Sequence, residues 1–156
     1  MDDFSAKPGV PNQFGLIGYE ANSIQAKKRM LSSMSPTIVL DGNEVIAVTG
    51  SPGGSRIITM TFQTLMYALE YGLNAQEAVD HKRMHSQWQP DYIRVEEQFL
   101  NSDVQEMLEE IGHEVQILHP LSAGKMELIL LTGSGLSAAS DTSRVQGKAM
   151  VLELQK

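Results

Sequence analysis

The stretch Gly50-Ser51-Pro52-Gly53-Gly54-Ser55 stands between a β-rich run and an amphipathic one. Adjacent glycines let a chain turn tightly and let a ligand come close to the backbone amides. A helix opening there presents unpaired N–H groups and the positive end of its dipole. Such a mouth suits an anion, or an oxyanion that develops during acyl transfer. A plain strand-to-helix turn fits the same residues. A phosphate loop fits less well, because no Gly-x-x-x-x-Gly-Lys-Ser/Thr pattern is present. Ser32, Ser33 and Ser35 form a hydroxyl cluster that can donate to a carboxylate or simply close a turn. Asp2 and Asp3 are adjacent acids that can hold an ammonium group or simply face water. His81 and His85 lie four apart, but Lys82 stands where a zinc protease carries glutamate. They read as structural or surface histidines, and neither a metal nor another cofactor is expected.

The elements that must position these groups are legible from pattern. Residues 1–33 are rich in proline, glycine and asparagine and lack periodicity, so an irregular lead-in is expected. Thr37 to Leu40 and Glu44 to Thr49 flank Asp41-Gly42-Asn43 and predict a β-hairpin. After the glycine turn, Ile58, Phe62, Leu65, Met66 and Leu69 define one face of a helix that Gly72 closes. Asn74 and Glu77 are spaced as a capping pair for a second helix. Trp88 reads as a packing anchor, and Tyr92 to Glu96 as a short strand. Ser102 and Gln105 predict a cap for a third helix, with Val104, Met107, Leu108 and Ile111 inward and Gly112 at its end. Glu114 to Leu118 predicts a strand. A second hairpin spans Glu127 to Thr132 and Leu136 to Ala139 around Gly133-Ser134-Gly135, and Val145 to Leu154 predicts a last strand. The mixture is α+β rather than a regular β-α-β alternation.

The chain of 156 residues matches one domain, residues 1–156, by length. Apolar residues are 42% and charged residues 20%, which argues against a disordered, collagenous or coiled-coil chain. Basic residues number 12 and acidic ones 19, a net charge of −7, so no nucleic-acid partner is expected. There is no cysteine, which removes disulfides, thiolate metal sites and cysteine nucleophiles. The apolar runs fall well short of the ~18 residues of a membrane span, and none is expected. The acidic start Met1-Asp2-Asp3-Phe4 does not read as a signal peptide.

Taken together, Met1-Asp2-Asp3-Phe4-Ser5 with Pro8-Gly9, Ser32-Ser33-Met34-Ser35-Pro36-Thr37, and Thr49 through Ile58 closely resemble the small subunit of the γ-glutamyltranspeptidase family. The resemblance continues through Tyr71-Gly72-Leu73-Asn74, Arg83-Met84-His85, Gln87-Trp88, Pro90-Asp91 and Arg94-Val95-Glu96. Ala139-Ser140-Asp141 resembles the family's terminal alanine-serine-aspartate, but Thr142-Ser143-Arg144 stands where the family usually continues with proline and arginine.

The resemblance implies part of a four-layer α/β/β/α fold of the N-terminal-nucleophile hydrolase type, with this chain the C-terminal portion of a small subunit. It implies a self-cleaving precursor whose new N-terminal threonine is the nucleophile, with its own amine as base. That threonine lies upstream of the aspartate pair and outside this chain, so the chain alone is expected to be inactive. By the same resemblance, Asp3 holds the α-ammonium of the γ-glutamyl group and Ser32 and Ser33 its α-carboxylate. The N–H groups of Gly53 and Gly54 form the oxyanion hole. The donor is a γ-glutamyl compound such as glutathione, and the partners are the large subunit and the remaining segment of the precursor. A periplasmic or extracellular location is implied. The alternative is a truncated, non-catalytic binding or partner module of the same fold.

Overall fold

The computed structural model describes residues 3–119, 122–133 and 135–152. Residues 3–36 are irregular apart from a 3-10 turn at Glu20–Asn22 and two isolated bridges, Ser5 with Ser23 and Pro11 with Ile17. Then follow β1 (Thr37–Asp41), β2 (Glu44–Gly50), a 3-10 turn (Gly54–Arg56), α1 (Ile57–Leu69) and α2 (Ala75–Asp80). After them come β3 (Met84–Ser86), β4 (Ile93–Glu96), α3 (Ser102–Glu110), β5 (Val115–Leu118), β6 (Glu127–Thr132) and β7 (Gly135–Ser140). The class is α+β, as the pattern predicts. Among the described residues no helix is long and apolar enough to cross a membrane.

Two sheets carry the chain. The larger is antiparallel in the order β1-β2-β6-β7. The smaller is β3-β4-β5, with β4 and β5 parallel. Alternation along the larger sheet sends Ala47, Thr49, Leu128, Leu130 and Ala139 to one face, where they are buried. Helices α1 and α2 cover that face with Ile57, Met60, Ala75, Ala78 and Val79. Burying each of the larger aliphatic side chains contributes about 1.5–3 kcal/mol. Among the described residues no helix or strand packs on the opposite face, and Ala149 and Met150 lie beside Val48, Ile129 and Ala138 there. Register aligns Ile38, Val48, Ile129 and Ala138 in one row across all four strands. Ile38 is 65% exposed in that row. Around the larger sheet there is thus one helical layer, with a largely apolar open face where an α/β/β/α stack places its second sheet.

Several sequence expectations are corrected. The buried face of α1 is Ile57, Met60, Thr61 and Thr64, whereas Ile58, Phe62 and Leu69 of the predicted stripe are exposed. Small hydroxyl-bearing residues let the helix lie close to the sheet, Leu65 of the predicted stripe packs against the core, and Ile58, Phe62 and Leu69 turn outward. Helix α3 buries no residue, and Val104, Met107 and Ile111 face solvent because only β5 lies beside it. Its N-cap is Asn101, whose side chain accepts from the Val104 amide at 2.8 Å, not Ser102. Trp88 is 77% exposed and anchors no core. Residues 145–152 form no strand, and positions 153 and 154 of that expectation lie outside the described residues. Asp2 and the turn residue Ser134 also lie outside them. The predicted capping box of α2 is present in full, with Asn74 accepting from the Glu77 amide at 3.0 Å and Glu77 accepting from the Asn74 amide at 3.0 Å.

Candidate active site

The irregular lead-in is held by side chains rather than by ladders. Asn22 Nδ2 donates to the Asp3 carbonyl at 2.7 Å, and Asn22 Oδ1 accepts from the Leu31 amide at 3.1 Å. One side chain therefore ties the segment bearing Asp3 to the segment that continues into Ser32 and Ser33. The Ser5 amide adds a bond to the Asn22 carbonyl at 3.0 Å. Gly18 packs so closely on Ser5 that a Cβ there meets Ser5 Oγ at 1.9 Å. Phe4 is buried beneath, which anchors the neighbour of Asp3. The result is a cavity of about 270 Å³ whose walls include Asp3, Asn22, Ser32 and Ser33, with Leu16 and Ile17 opposite. An acid and two hydroxyls around one small cavity can read both ends of an amino acid, the ammonium and the carboxylate.

Asn12 folds the loop that closes this cavity. Its Oδ1 accepts from the amides of Phe14 and Leu16 at 2.9 and 3.0 Å. Asparagine bonding its own backbone two residues on is a turn device that needs no partner strand. The loop delivers the Phe14 ring to Gly54, where a Cβ falls 3.0 Å from Phe14 Cδ1. Gly54 has φ +60, a conformation costly for any residue with a Cβ.

Gly53 and Gly54 do not line the Asp3 cavity. Gly53 lines a second cavity of about 270 Å³ with Arg56, Ser122, Lys125 and Arg144. A third, of about 390 Å³, is shared by Ser33, Ser55, Ile58, His85 and Trp88. Ser33 borders the first and third cavities, and the third is also lined by Ser55, the residue after Gly54. Among the described residues, neither the Gly53 nor the Gly54 amide donates to another backbone group. Backbone amides at the mouth of a helix can stabilise an oxyanion.

A buried ion cluster, whose Arg144 also lines the Gly53 cavity, escaped the sequence reading. Arg83 donates to Asp141 Oδ2 at 2.6 Å, and Arg144 donates to the same oxygen at 3.1 Å and to both oxygens of Glu96. All four side chains are nearly inaccessible. Burial lowers the Arg144 pKa, but bonds to Glu96 and the charges of Glu96 and Asp141 outweigh it and raise it overall. Arg83 is lowered, by burial first and by Arg144 next, with Asp141 opposing. The signal lay in Arg83, Glu96 and Asp141 as separate motif residues, but nothing in their spacing joins them. Arg144 stands three residues beyond Asp141, after the segment where the sequence departs from the family's usual terminal motif.

His85 is buried on β3. Its Nδ1 lies 2.9 Å from Thr59 Oγ1 and its Nε2 2.7 Å from Gln87 Oε1. Burial lowers its pKa, the Gln87 bond opposes this, and the charges of Arg56 and Arg94 lower it further. His81 follows the end of α2 and stacks on Tyr67, so the two histidines share no helix face.

A family model described as Gamma-glutamyltranspeptidase matches residues 1–151. The glutathione hydrolase proenzyme of Escherichia coli strain K12 is 48% identical over 146 residues, which is 93% of this chain and 25% of that protein. The glutathione hydrolase proenzyme of Pseudomonas sp. strain A14 is 51% identical over 136 residues, 87% of this chain and 23% of that protein. The solved structure of a gamma-glutamyltranspeptidase from Pseudomonas nitroreducens complexed with L-DON is 41% identical, with a TM-score of 0.87 over 97% of this chain and 79% of that one. The chain spans about a quarter of the length of the curated relatives it matches.

Proposed function

The chain belongs to the γ-glutamyltranspeptidase family, and on that footing we propose that it carries the donor pocket of an enzyme transferring γ-glutamyl groups. The donor is a γ-glutamyl compound such as glutathione, and the acceptor is water, an amino acid or a peptide. Asp3 takes the donor's α-ammonium, and Ser32 and Ser33 donate to its α-carboxylate. The amides of Gly53 and Gly54 receive the negative charge that forms on the γ-carbonyl oxygen. The nucleophile is a threonine hydroxyl outside the 156 residues, deprotonated by its own α-amine. Its oxygen bonds to the γ-carbon, the amide bond breaks, and the proton leaves with the departing amine. Water or an acceptor amine then attacks the γ-glutamyl ester and regenerates the hydroxyl.

The observation that carries this reading is the meeting of Asp3, Ser32 and Ser33 in one cavity, although 29 residues separate the aspartate from the first serine. The open row Ile38, Val48, Ile129 and Ala138 supports a partner that covers it. On this reading the partner is the large subunit together with the rest of the precursor. Residues 1–156 are then the C-terminal portion of the small subunit, and the enzyme works in the periplasm or outside the cell.

The test is turnover of a γ-glutamyl anilide by the assembled enzyme containing this chain. Asp3→Asn and Ser32→Ala with Ser33→Ala are expected to raise the KM for the donor at least tenfold, because each removes a charge-assisted bond. Turnover that ignores all three substitutions contradicts the reading. Donor binding without any turnover in the assembled protein favours a non-catalytic module instead.

A further inference from the structure

Helix α1 is held by two kinds of contact. On one side Ile57 and Met60 pack in the core beneath the larger sheet. On another, side chains one turn apart bond the helix to β3 of the smaller sheet. Gln63 Nε2 donates to the Met84 carbonyl at 2.7 Å, and Gln63 Oε1 accepts from the Met84 amide at 3.0 Å. Thr59 Oγ1 lies 2.9 Å from Nδ1 of His85, the next residue of β3. Apolar packing is non-directional, whereas hydrogen bonds fix position and angle. The bonds to β3 therefore set where α1 stands along its own axis, and with it the glycine turn that runs into its first residues.

The direction of the Thr59–His85 bond follows from its neighbours. Gln87 Nε2 donates to the Gln89 carbonyl at 2.8 Å, so Gln87 Oε1 is the atom 2.7 Å from His85 Nε2. An amide oxygen only accepts, so Nε2 carries the ring proton. Burial and the charges of Arg56 and Arg94 keep the ring neutral against the Gln87 bond. In the neutral ring Nδ1 is then a bare acceptor, and the Thr59 hydroxyl donates to it. From Thr59 the contacts run on to the turn. Thr59 Oγ1 is 3.1 Å from the Arg56 carbonyl, and the Arg56 amide donates to the Gly53 carbonyl at 3.3 Å. A chain of short contacts thus joins a buried histidine of the smaller sheet to the first peptide of the glycine pair.

We propose that Thr59 and His85 are positioning residues for acyl transfer, holding the Gly53–Gly54 peptide so that its N–H is aimed at the oxyanion. The proposal rests on the γ-glutamyl transfer reading above. The Gly53 carbonyl and the Gly54 N–H belong to one planar trans peptide, so they point in opposite directions. Fixing the carbonyl on the Arg56 amide therefore fixes the line of the Gly54 N–H. Glycine is conformationally permissive, and two in succession do not hold an aim by themselves. The restraint has to come from outside the turn, and the Thr59–His85 bond supplies it. This seam contains none of Asp3, Ser32 and Ser33, so its loss falls on the transition state rather than on donor binding.

The assembled enzyme is assayed for hydrolysis of a γ-glutamyl anilide, with the folded assembly counted by sedimentation. Thr59→Val keeps the side chain's shape and removes the hydroxyl. It is expected to lower kcat per folded assembly about tenfold, part of the roughly 100- to 1000-fold lost when an oxyanion donor is removed outright. Donor KM is expected to stay within about twofold, since donor binding is left intact. His85→Gln keeps a donor toward Gln87, gives up the acceptor toward Thr59, and is expected to match Thr59→Val. Thr59→Ser restores the hydroxyl and is expected to recover the rate. The double variant Thr59→Val with His85→Gln is expected to lose no more than either single one, because both cut the same bond. A merely structural role moves the melting midpoint and leaves kcat of the folded assembly alone, and that result in both single variants overturns the proposal. Losses that multiply in the double variant, or a rise in donor KM at constant kcat, also overturn it. Native turnover separates these failures from a failure of the transfer reading: a native assembly without turnover overturns that reading and this proposal with it.

Discussion

The Asn22 side-chain amide donates to the Asp3 carbonyl at 2.7 Å, and this bond ties down the backbone that carries the acid of the proposed donor pocket. Because the same side chain accepts from the Leu31 amide, it determines the spacing between acid and hydroxyls. Asn22→Ala removes two hydrogen bonds of roughly 0.5–1.5 kcal/mol each. The expected result is a several-fold rise in donor KM with a smaller change in kcat, and a lower midpoint in urea. Steady-state kinetics and denaturation curves read both. A kcat loss without a KM rise removes Asn22 from the positioning of Asp3.

Gly54 joins the loop and the glycine turn through Phe14. Gly54→Ala forces a Cβ at φ +60 and a 3.0 Å approach to the Phe14 ring. The backbone part alone costs about 1–2 kcal/mol. Trimming the ring by Phe14→Leu in the Gly54→Ala background is expected to recover the steric part and leave the backbone part. A thermal-melt cycle over the four proteins separates them, since contacting residues couple and distant ones add.

What was legible in the sequence was local. The hairpin at residues 37–50 and the capping box of Asn74 and Glu77 depend on neighbours within a few positions, and both are as expected. The outward turn of Ile58 and Phe62 depends on which side of α1 the sheet lies, and periodicity carries no such information. Trp88 reads as a packing anchor in sequence yet is exposed, because the size of a side chain does not say which surface, if any, lies over it. Asp3, Ser32 and Ser33 were picked out by resemblance, but Asn22, which joins their segments, read only as one more loop residue. The Arg83–Asp141 pair spans 58 positions and has no local signature.

Arg144 pairs with two buried carboxylates, and its loss strands Glu96 while Asp141 keeps Arg83. Arg144→Met is expected to destabilise the chain by about 3–5 kcal/mol, the usual cost of breaking a buried pair on one side. Arg144→Met combined with Glu96→Gln removes the stranded Glu96 charge and is expected to cost less than the two single changes added. Urea unfolding of the three variants tests this. Simple additivity contradicts a shared network.

His85 sets a pH dependence. Its folded pKa lies below the ordinary imidazole value of about 6.5, through burial first and through Arg56 and Arg94, against the Gln87 bond. The unfolded chain therefore takes up the proton first as pH falls. The stability linked to His85 is complete above the unfolded value and is lost as pH falls from there through the folded value. His85→Gln is expected to flatten stability against pH in that window. Asp80 acts lower down. Burial raises its pKa, but bonds from Thr142, Gln76 and Ser143 outweigh it and lower it, so its stabilisation is lost only in acid below the ordinary carboxylate range. Melts at stepped pH in the native and His85→Gln proteins separate the two windows.

The open sheet face separates folding from assembly. Ile129 lies mid-row between Val48 and Ala138 and points away from α1 and α2. A polar residue there leaves the buried face intact, so Ile129→Gln is expected to shift the chain's own stability by no more than about 0.5 kcal/mol. Leu128, its neighbour in sequence, is buried on the other face, and Leu128→Ala is expected to cost about 2–5 kcal/mol. In the assembly the order reverses. Ile129→Gln puts an unsatisfied amide between two packed sheets and is expected to weaken association with the partner, because a buried polar group without a hydrogen bond is costly. Sedimentation of the mixed subunits, beside urea curves of the single chain, measures both. Equal effects of the two substitutions on folding contradict the assignment of the two faces.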